Sequence, residues 1–209
     1  MYLEILVEEP SAEKVMHNIL PILITGEHDY RVITYQGKAD MLKRLPLELK
    51  AYARWIPEDY ILLILIDRDQ QDCKELKDTL EKMVSETGLK SKSFAGEGKQ
   101  FSVVTRIAIE ELEAWFFGDA EAVRAAYPHV SKSFERKAAY RIPDNIKGGT
   151  WEALERILQT GGYFKNGLRK IECADEISKH MQPLRNRSKS FQVFWEGLNC
   201  CIQQYGKNT

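Results

Sequence analysis

The sequence predicts an α/β fold, a mainly parallel central sheet flanked by helices, with a helical C-terminal part. Three observations carry this expectation. Strand-like and helix-like patterns alternate four times before residue 118; the run Tyr60-Ile61-Leu62-Leu63-Ile64-Leu65-Ile66 is apolar throughout, the mark of a strand covered on both faces; and no strand pattern follows Gly118.

Residues 2–7 read as the first strand through Leu3, Ile5, Leu6 and Val7, and Pro10-Ser11-Ala12-Glu13 opens a helix with Val15, Ile19, Leu20 and Leu23 at helical spacing. A second strand falls at residues 30–35 and a helix at about 39–55, where Pro46 predicts a kink or a break. After the apolar third strand, Leu76, Leu80 and Met83 define an amphipathic helix that Gly88 stops, and residues 102–109 form the fourth strand. Helices then follow at 120–127, 150–160, 173–181 and 190–205, separated by Pro128, Pro143-Asp144, Gly148-Gly149, Gly161-Gly162 and Pro183. The chain thus divides into an α/β domain at 1–117 and a helical subdomain at 118–209 packed on it.

A chain of 209 residues is long enough for one generous domain, and 44% hydrophobic with 29% charged residues excludes a disordered or collagen-like polymer. No apolar run reaches the ~18 residues a membrane-spanning helix needs, and the N-terminus lacks the basic region of a signal peptide. The expectation is a cytoplasmic protein without membrane association. Cys73, Cys173, Cys200 and Cys201 include no C-x-x-C pair and no histidine at zinc-finger spacing, so reduced thiols are expected. The net charge of −1 declares no partner, yet residues 1–85 carry 11 Lys and Arg against 16 Asp and Glu, and residues 86–209 carry 19 against 15.

In an open parallel sheet, ligands gather beyond the carboxyl ends of the strands. Glu8 closes the first strand, and Asp67 and Asp69 follow the third, two residues apart, so continued extended backbone would turn both carboxylates to one side. Crowded carboxylates repel, and a divalent cation that prefers hard oxygen ligands, Mg²⁺ or Mn²⁺, relieves the repulsion. The competing assignment has Asp67 capping the next helix, Asp69 paired with Arg68 or Lys74, and Glu8 solvated. After the fourth strand, Ile109-Glu110-Glu111-Leu112-Glu113-Ala114-Trp115 offers a further group. A helix starting at Glu110 would align Glu110 with Glu113, whereas extended backbone would align Glu111 with Glu113; acids favoured by a helix N-terminus are the alternative.

Lys165, Arg169, Lys170, Lys179, Arg185, Arg187 and Lys189 lie near Tyr163 and Phe164, a mixture that could hold phosphates and a stacked base, although a solvated helix surface is the commoner origin of such a run. Lys147 before Gly148-Gly149 is another candidate phosphate contact. Gly96-Glu97-Gly98-Lys99 fails as a phosphate loop twice, because Ser93 stands where the first glycine belongs and Gln100 where the hydroxyl belongs. His17, His28, His129 and His180 are scattered, and no G-x-S-x-G or H-E-x-x-H is present, so nucleophilic Ser or Cys catalysis has no support.

A strand ending in Glu8, a helix, and an apolar strand ending in Asp67-Arg68-Asp69 resemble the Toprim domain shared by topoisomerases, primases and nucleases of the overcoming-lysogenization-defect type. Leu6-Val7-Glu8-Glu9-Pro10-Ser11-Ala12-Glu13, Ile109 to Trp115 and Ser188-Lys189-Ser190-Phe191 are similar to an uncharacterised bacterial Toprim-like family often encoded beside ABC-type or AAA ATPases. The resemblance implies a Toprim-like fold over about residues 1–117. It also implies a site in which Glu8, Asp67 and Asp69 hold Mg²⁺ or Mn²⁺ for phosphodiester chemistry, with Glu111 and Glu113 as further ligands. Glu8, Asp67, Asp69 and Glu113 are then the catalytic set, Glu8 or Glu13 a general base, and Lys147, Lys170 and Arg187 the phosphate contacts. Two features depart from the pattern: Glu9 stands where glycine is common, and no tyrosine nucleophile domain accompanies the fold, which disfavours topoisomerase activity. The implied activity is that of a nuclease on DNA or RNA, an antiphage-defence effector working with an ATPase and compatible with a homodimer. A non-catalytic adaptor for that ATPase, or a primase-like nucleotidyl transferase, are the rivals.

Overall fold

The computed structural model describes residues 1–26, 28–96 and 98–205. Glu97 of the Gly96 to Lys99 segment therefore lies outside the described residues. Four strands, β1 (Tyr2–Val7), β2 (Asp29–Thr34), β3 (Tyr60–Asp67) and β4 (Val103–Ala108), form one all-parallel sheet in the order β2-β1-β3-β4. The connections contain α1 (Pro10–Ile19), α2 (Lys38–Tyr52), α3 (Cys73–Ser85) and the single turn α4 (Lys92–Ala95). Then follow α5 (Ala114–Gly118), α6 (Ala120–Ala126), α7 (Thr150–Thr160), α8 (Lys170–Ser178) and α9 (Lys189–Tyr205), with short 3₁₀ turns between them. No strand follows β4 among the described residues, as expected.

Side-chain alternation sorts the sheet into two covered faces. Leu3, Ile5 and Val7 of β1 and Ile61, Leu63 and Leu65 of β3 pack with α1 and the C-terminal helices. Leu6, Leu62, Ile64 and Ile66 pack against Met41, Leu45 and Leu49 of α2 and Leu76, Leu80 and Val84 of α3. The inner strands therefore cannot alternate with polar residues, which is why residues 60–66 read as one apolar run. Glu4 is the exception within β1, and its buried carboxylate is satisfied by the hydroxyls of Tyr52, at 2.5 Å, and Tyr60.

Pro46 neither breaks nor ends α2, which runs through it; Leu45 and Leu49 on either side are fully buried, and their packing outweighs the proline's local preference. Asp72, rather than Asp67, caps α3, accepting from the N–H groups of Lys74 at 2.8 Å and Glu75 at 3.0 Å. Gly88, at φ +83°, ends that segment. The C-terminal helices share the core of the first sheet face. α8 lies along α1, tied by the Asn18 amide, which donates to the Asp175 carbonyl at 3.1 Å and to the Ser178 hydroxyl at 2.8 Å. Among the described residues no helix is long and apolar enough to cross a membrane.

Candidate functional site

The β1–β3 register sets Val7 opposite Leu65, so Glu8 and Asp67 leave adjacent strands at the carboxyl edge of the sheet. Glu8 is clamped there: its Oε2 accepts from the Asp67 N–H at 3.1 Å, and its Oε1 accepts from the Lys38 N–H, where α2 begins, at 3.0 Å. Gly37, at φ +91°, makes the turn that brings this N–H round. Burial raises the Glu8 pKa, opposed by the Asp67 hydrogen bond and the Lys38 charge and reinforced by the charges of Asp69 and Glu9. Asp67 is held well above the usual carboxylate range by burial first and then by the charges of Glu8, Glu113 and Glu9, with a hydrogen bond from the Leu112 N–H opposing.

Glu113 is the third member, 2% exposed, on the turn between β4 and α5. Burial pushes its carboxyl up to about 7; the Lys170 ammonium works the other way, and Glu111 and Glu9 add to the rise. Its Oε2 is buried without a hydrogen-bond partner among the described residues. Lys170 opens α8 with its ammonium 4.9 Å from the Trp151 ring centroid. Burial opposes that charge, but Glu113, Glu9, Glu111 and Asp67 outweigh it and raise the lysine's pKa.

Several of the other predicted residues have partners of their own. Asp69 adopts φ +51°, so the extended run ends before it, and its carboxylate turns to Lys38 Nζ at 2.6 Å instead of lining up with Asp67. The turn is fixed from the neighbouring strand: the Arg68 N–H donates to Ala108 O at 2.8 Å and the Asp69 N–H to Glu110 O at 2.7 Å. Its partner is thus Lys38, not Arg68 or Lys74. Glu110, at φ +62°, pairs with Arg68, and neither helix nor strand runs from Glu110 to Glu113, so neither expected alignment of these acids occurs.

Glu111 spends one oxygen, Oε2, on the start of α7. It accepts from Thr150 N at 2.9 Å, Thr150 Oγ1 at 2.7 Å and Trp151 N at 3.0 Å, which satisfies N–H groups a helix start leaves unpaired. Glu13 accepts from Thr34 Oγ1 at 2.9 Å and meets His17 at 3.7 Å. Lys147 is exposed and forms no ion pair or side-chain hydrogen bond among the described residues, and Arg187 lines a separate cavity with Gly118 and Asp119. Glu9, whose charge reaches Asp67, Glu113 and Lys170, was expected only as a departure from glycine. Its position immediately before the proline that opens α1 is the local signal that it faces the strand end.

The motif segments near Trp115 and Ser190 form the support under Glu113. Trp115 Nε1 donates to Ser190 Oγ at 3.0 Å, and the hydroxyls of Ser188 and Ser190 donate to Asp144 Oδ1 at 2.8 and 2.7 Å. The indole also packs on Phe191 and Phe194, at centroid distances of 5.1 and 4.8 Å. With α5 wholly buried, this clasp holds the turn that carries Glu113.

The donors at the site are all oxygens, one of them orphaned and buried, which suits a hard divalent cation. As the side chains stand, no three potential ligands among the described residues close around one point. Glu8, Asp67 and Glu113 are neighbours that share charge without forming a finished cage.

Fold and site together define a parallel α/β protein with a lysine-faced carboxylate cluster at the carboxyl edge of its sheet. The model of the family described as a domain of unknown function (DUF4276) matches residues 7–199, and the chain belongs to that family. No curated protein and no solved structure matches it.

Proposed function

We propose that this protein is a metal-dependent phosphodiester hydrolase, a nuclease acting on DNA or RNA, with its site at Glu8, Asp67 and Glu113. The observation that carries the reading is the unpartnered, buried Oε2 of Glu113 beside two further carboxylates whose protonation burial and mutual charge favour. Such a cluster is costly as it stands and is relieved by a cation. These three residues would hold Mg²⁺ or Mn²⁺, which when bound supplies Lewis acidity toward the phosphate and a more acidic water.

The chain's own groups do the rest. Lys170, its charge maintained by the acids around it, is placed to balance a phosphate's charge in a partly desolvated setting. Asp69 is a positioning residue: it fixes Lys38, whose N–H fixes Glu8. Glu111 positions Thr150 and Trp151, the latter beneath Lys170. A partner ATPase and an antiphage role belong to this proposal through the Toprim resemblance, and the cytoplasm suits the four free cysteines.

The test is incubation of supercoiled plasmid, linear DNA and single-stranded RNA with the purified chain in EDTA, Mg²⁺ or Mn²⁺, beside Asp67→Asn and Glu113→Gln, with Mn²⁺ binding followed by calorimetry. Metal-dependent cleavage and Mn²⁺ binding, both lost in the variants, are expected. Cleavage retained by Asp67→Asn overturns the site. Absence of both cleavage and Mn²⁺ binding overturns the activity and leaves the adaptor reading.

A further inference from the structure

Beyond α5 the chain builds a second charged cavity, about 510 Å³ in volume, with Arg124, Arg136, Arg141, Arg185 and Arg187 in its wall. Two of these guanidinium groups are committed. Arg185 grips Asp119 through Nε at 2.7 Å and Nη2 at 3.0 Å and reaches Glu121 through Nη1 at 2.7 Å, while Arg124 pairs with Glu135 at 2.9 Å. Asp119 is 1% exposed, so the Arg185 fork is rooted in the core and forms a rigid side of the cavity.

The other three are not committed. Arg136, Arg141 and Arg187 are exposed, and none has a carboxylate within ion-pair distance among the described residues. Five guanidinium groups against the three carboxylates of Asp119, Glu121 and Glu135 leave the cavity positive in a chain whose net charge is −1. Planar guanidinium forks match phosphate oxygens two at a time. No aromatic ring lines the cavity among the described residues, so it offers phosphate recognition without a platform on which a base would stack. That combination fits the backbone of a strand better than a free nucleotide.

Its position is equally telling. Gly118, in the cavity wall, ends α5, and Glu113 immediately precedes that helix. Five residues at ~1.5 Å each make α5 only ~7.5 Å long. Gly118 in the cavity wall thus lies one short, buried helix away from the turn that carries Glu113.

We propose that this cavity is a backbone anchor, in which Arg136, Arg141 and Arg187 hold the phosphates of a nucleic-acid strand near the carboxylates. The choice of ligand rests on the nuclease reading, so the test omits catalysis. Fluorescence anisotropy with labelled 20-nucleotide single-stranded DNA, RNA and duplex DNA is measured in EDTA from 50 to 300 mM KCl. The full chain is compared with the triple variant Arg136→Ala/Arg141→Ala/Arg187→Ala, the matching triple lysine variant, and Lys50→Ala, an exposed lysine on α2 outside both sites.

Affinity for the strand is expected to fall at least tenfold in the triple alanine variant. The slope of log Kd against log[KCl] is expected to fall by about 2 for a single strand. The lysine variant keeps most of the slope because it keeps the charge, and Lys50→Ala binds as the parent does. All three positions are exposed, so an unchanged melting temperature accompanies these results. Unaltered affinity and slope in the triple alanine variant overturn the anchor, as does a parent that binds no strand, or a mononucleotide that competes as well as the oligonucleotide at equal phosphate concentration. A parent that binds through these arginines but cuts nothing keeps the anchor and removes the nuclease.

Discussion

Glu113 shows how one residue couples stability to pH. Its carboxyl lies at about 7 in the folded protein against an ordinary 4.5, because burial, reinforced by Glu111 and Glu9, outweighs the pull of Lys170. The folded state therefore binds this proton more tightly than the unfolded chain. The stabilisation is fully present below pH 4.5 and is lost as pH rises through 7. At 1.36 kcal/mol per pH unit the difference amounts to about 3 kcal/mol. Thermal melting in EDTA is expected to give a lower Tm at pH 8 than at pH 6, and Glu113→Gln is expected to flatten that dependence and raise Tm at pH 8. A glutamine variant whose pH dependence matches the parent's would remove Glu113 as its source. Nothing local announces this property: Glu110, Glu111 and Glu113 are near neighbours in one acidic run, and they part company to Arg68, to α7 and to the core beside Asp67.

Elements were legible where their packing is simple. β1 and α7 were expected with the bounds they show, and β3 differs by a single residue, since its burial on both faces imposes the apolar run. Pro46 does not break α2, since tertiary packing carries the helix through a poor residue, and the extended backbone does not persist past Asp67, where bonds from the β4 edge impose a left-handed residue. α5 illustrates an element dictated by its surroundings: it is only five residues long, yet all of them are buried. A Cβ placed on Gly118 would stand 2.0 Å from Asn186 Oδ1 and 2.8 Å from Ser188 N. Asn186 cannot simply withdraw, because its Nδ2 donates to Trp115 O and its Oδ1 accepts from Ser188 N, both at 2.9 Å. Gly118→Ala is expected to cost about 2 kcal/mol or more in urea denaturation, as overpacking beside a satisfied buried amide does. A loss below about 0.5 kcal/mol would show that the α5 terminus yields, which the Glu113 support cannot afford.

At the scale of the whole molecule, the first face of the sheet is covered by α1, the turn after it and the C-terminal helices together. Leu3, Ile5, Val7, Ile61, Leu63 and Leu65 belong to the same apolar cluster as Trp115, Leu154, Ile177, Phe191 and Phe194. A chain cut after residue 117 would leave much of that face to water at roughly 25 cal/mol per Å². Far-UV circular dichroism and tryptophan fluorescence are therefore expected to report one coincident urea transition for the full chain, and residues 1–117 alone are expected not to fold cooperatively. Two separated transitions would show that the helical half holds itself together without the sheet.

The parallel sheet and the acids at its carboxyl edge were determined by the sequence itself. A strand buried on both faces must be apolar along its length, and a parallel topology delivers the residues after β1, β3 and β4 to one edge. Which of those acids meet was decided only by the tertiary structure. Asp69 is turned away by a hydrogen bond to Glu110 O, Glu111 is drawn off by the start of α7, and Lys170 arrives on α8 to face Glu113. Each of these depends on partners far apart in the chain, and bonds of that range leave no periodic trace in a local run of residues.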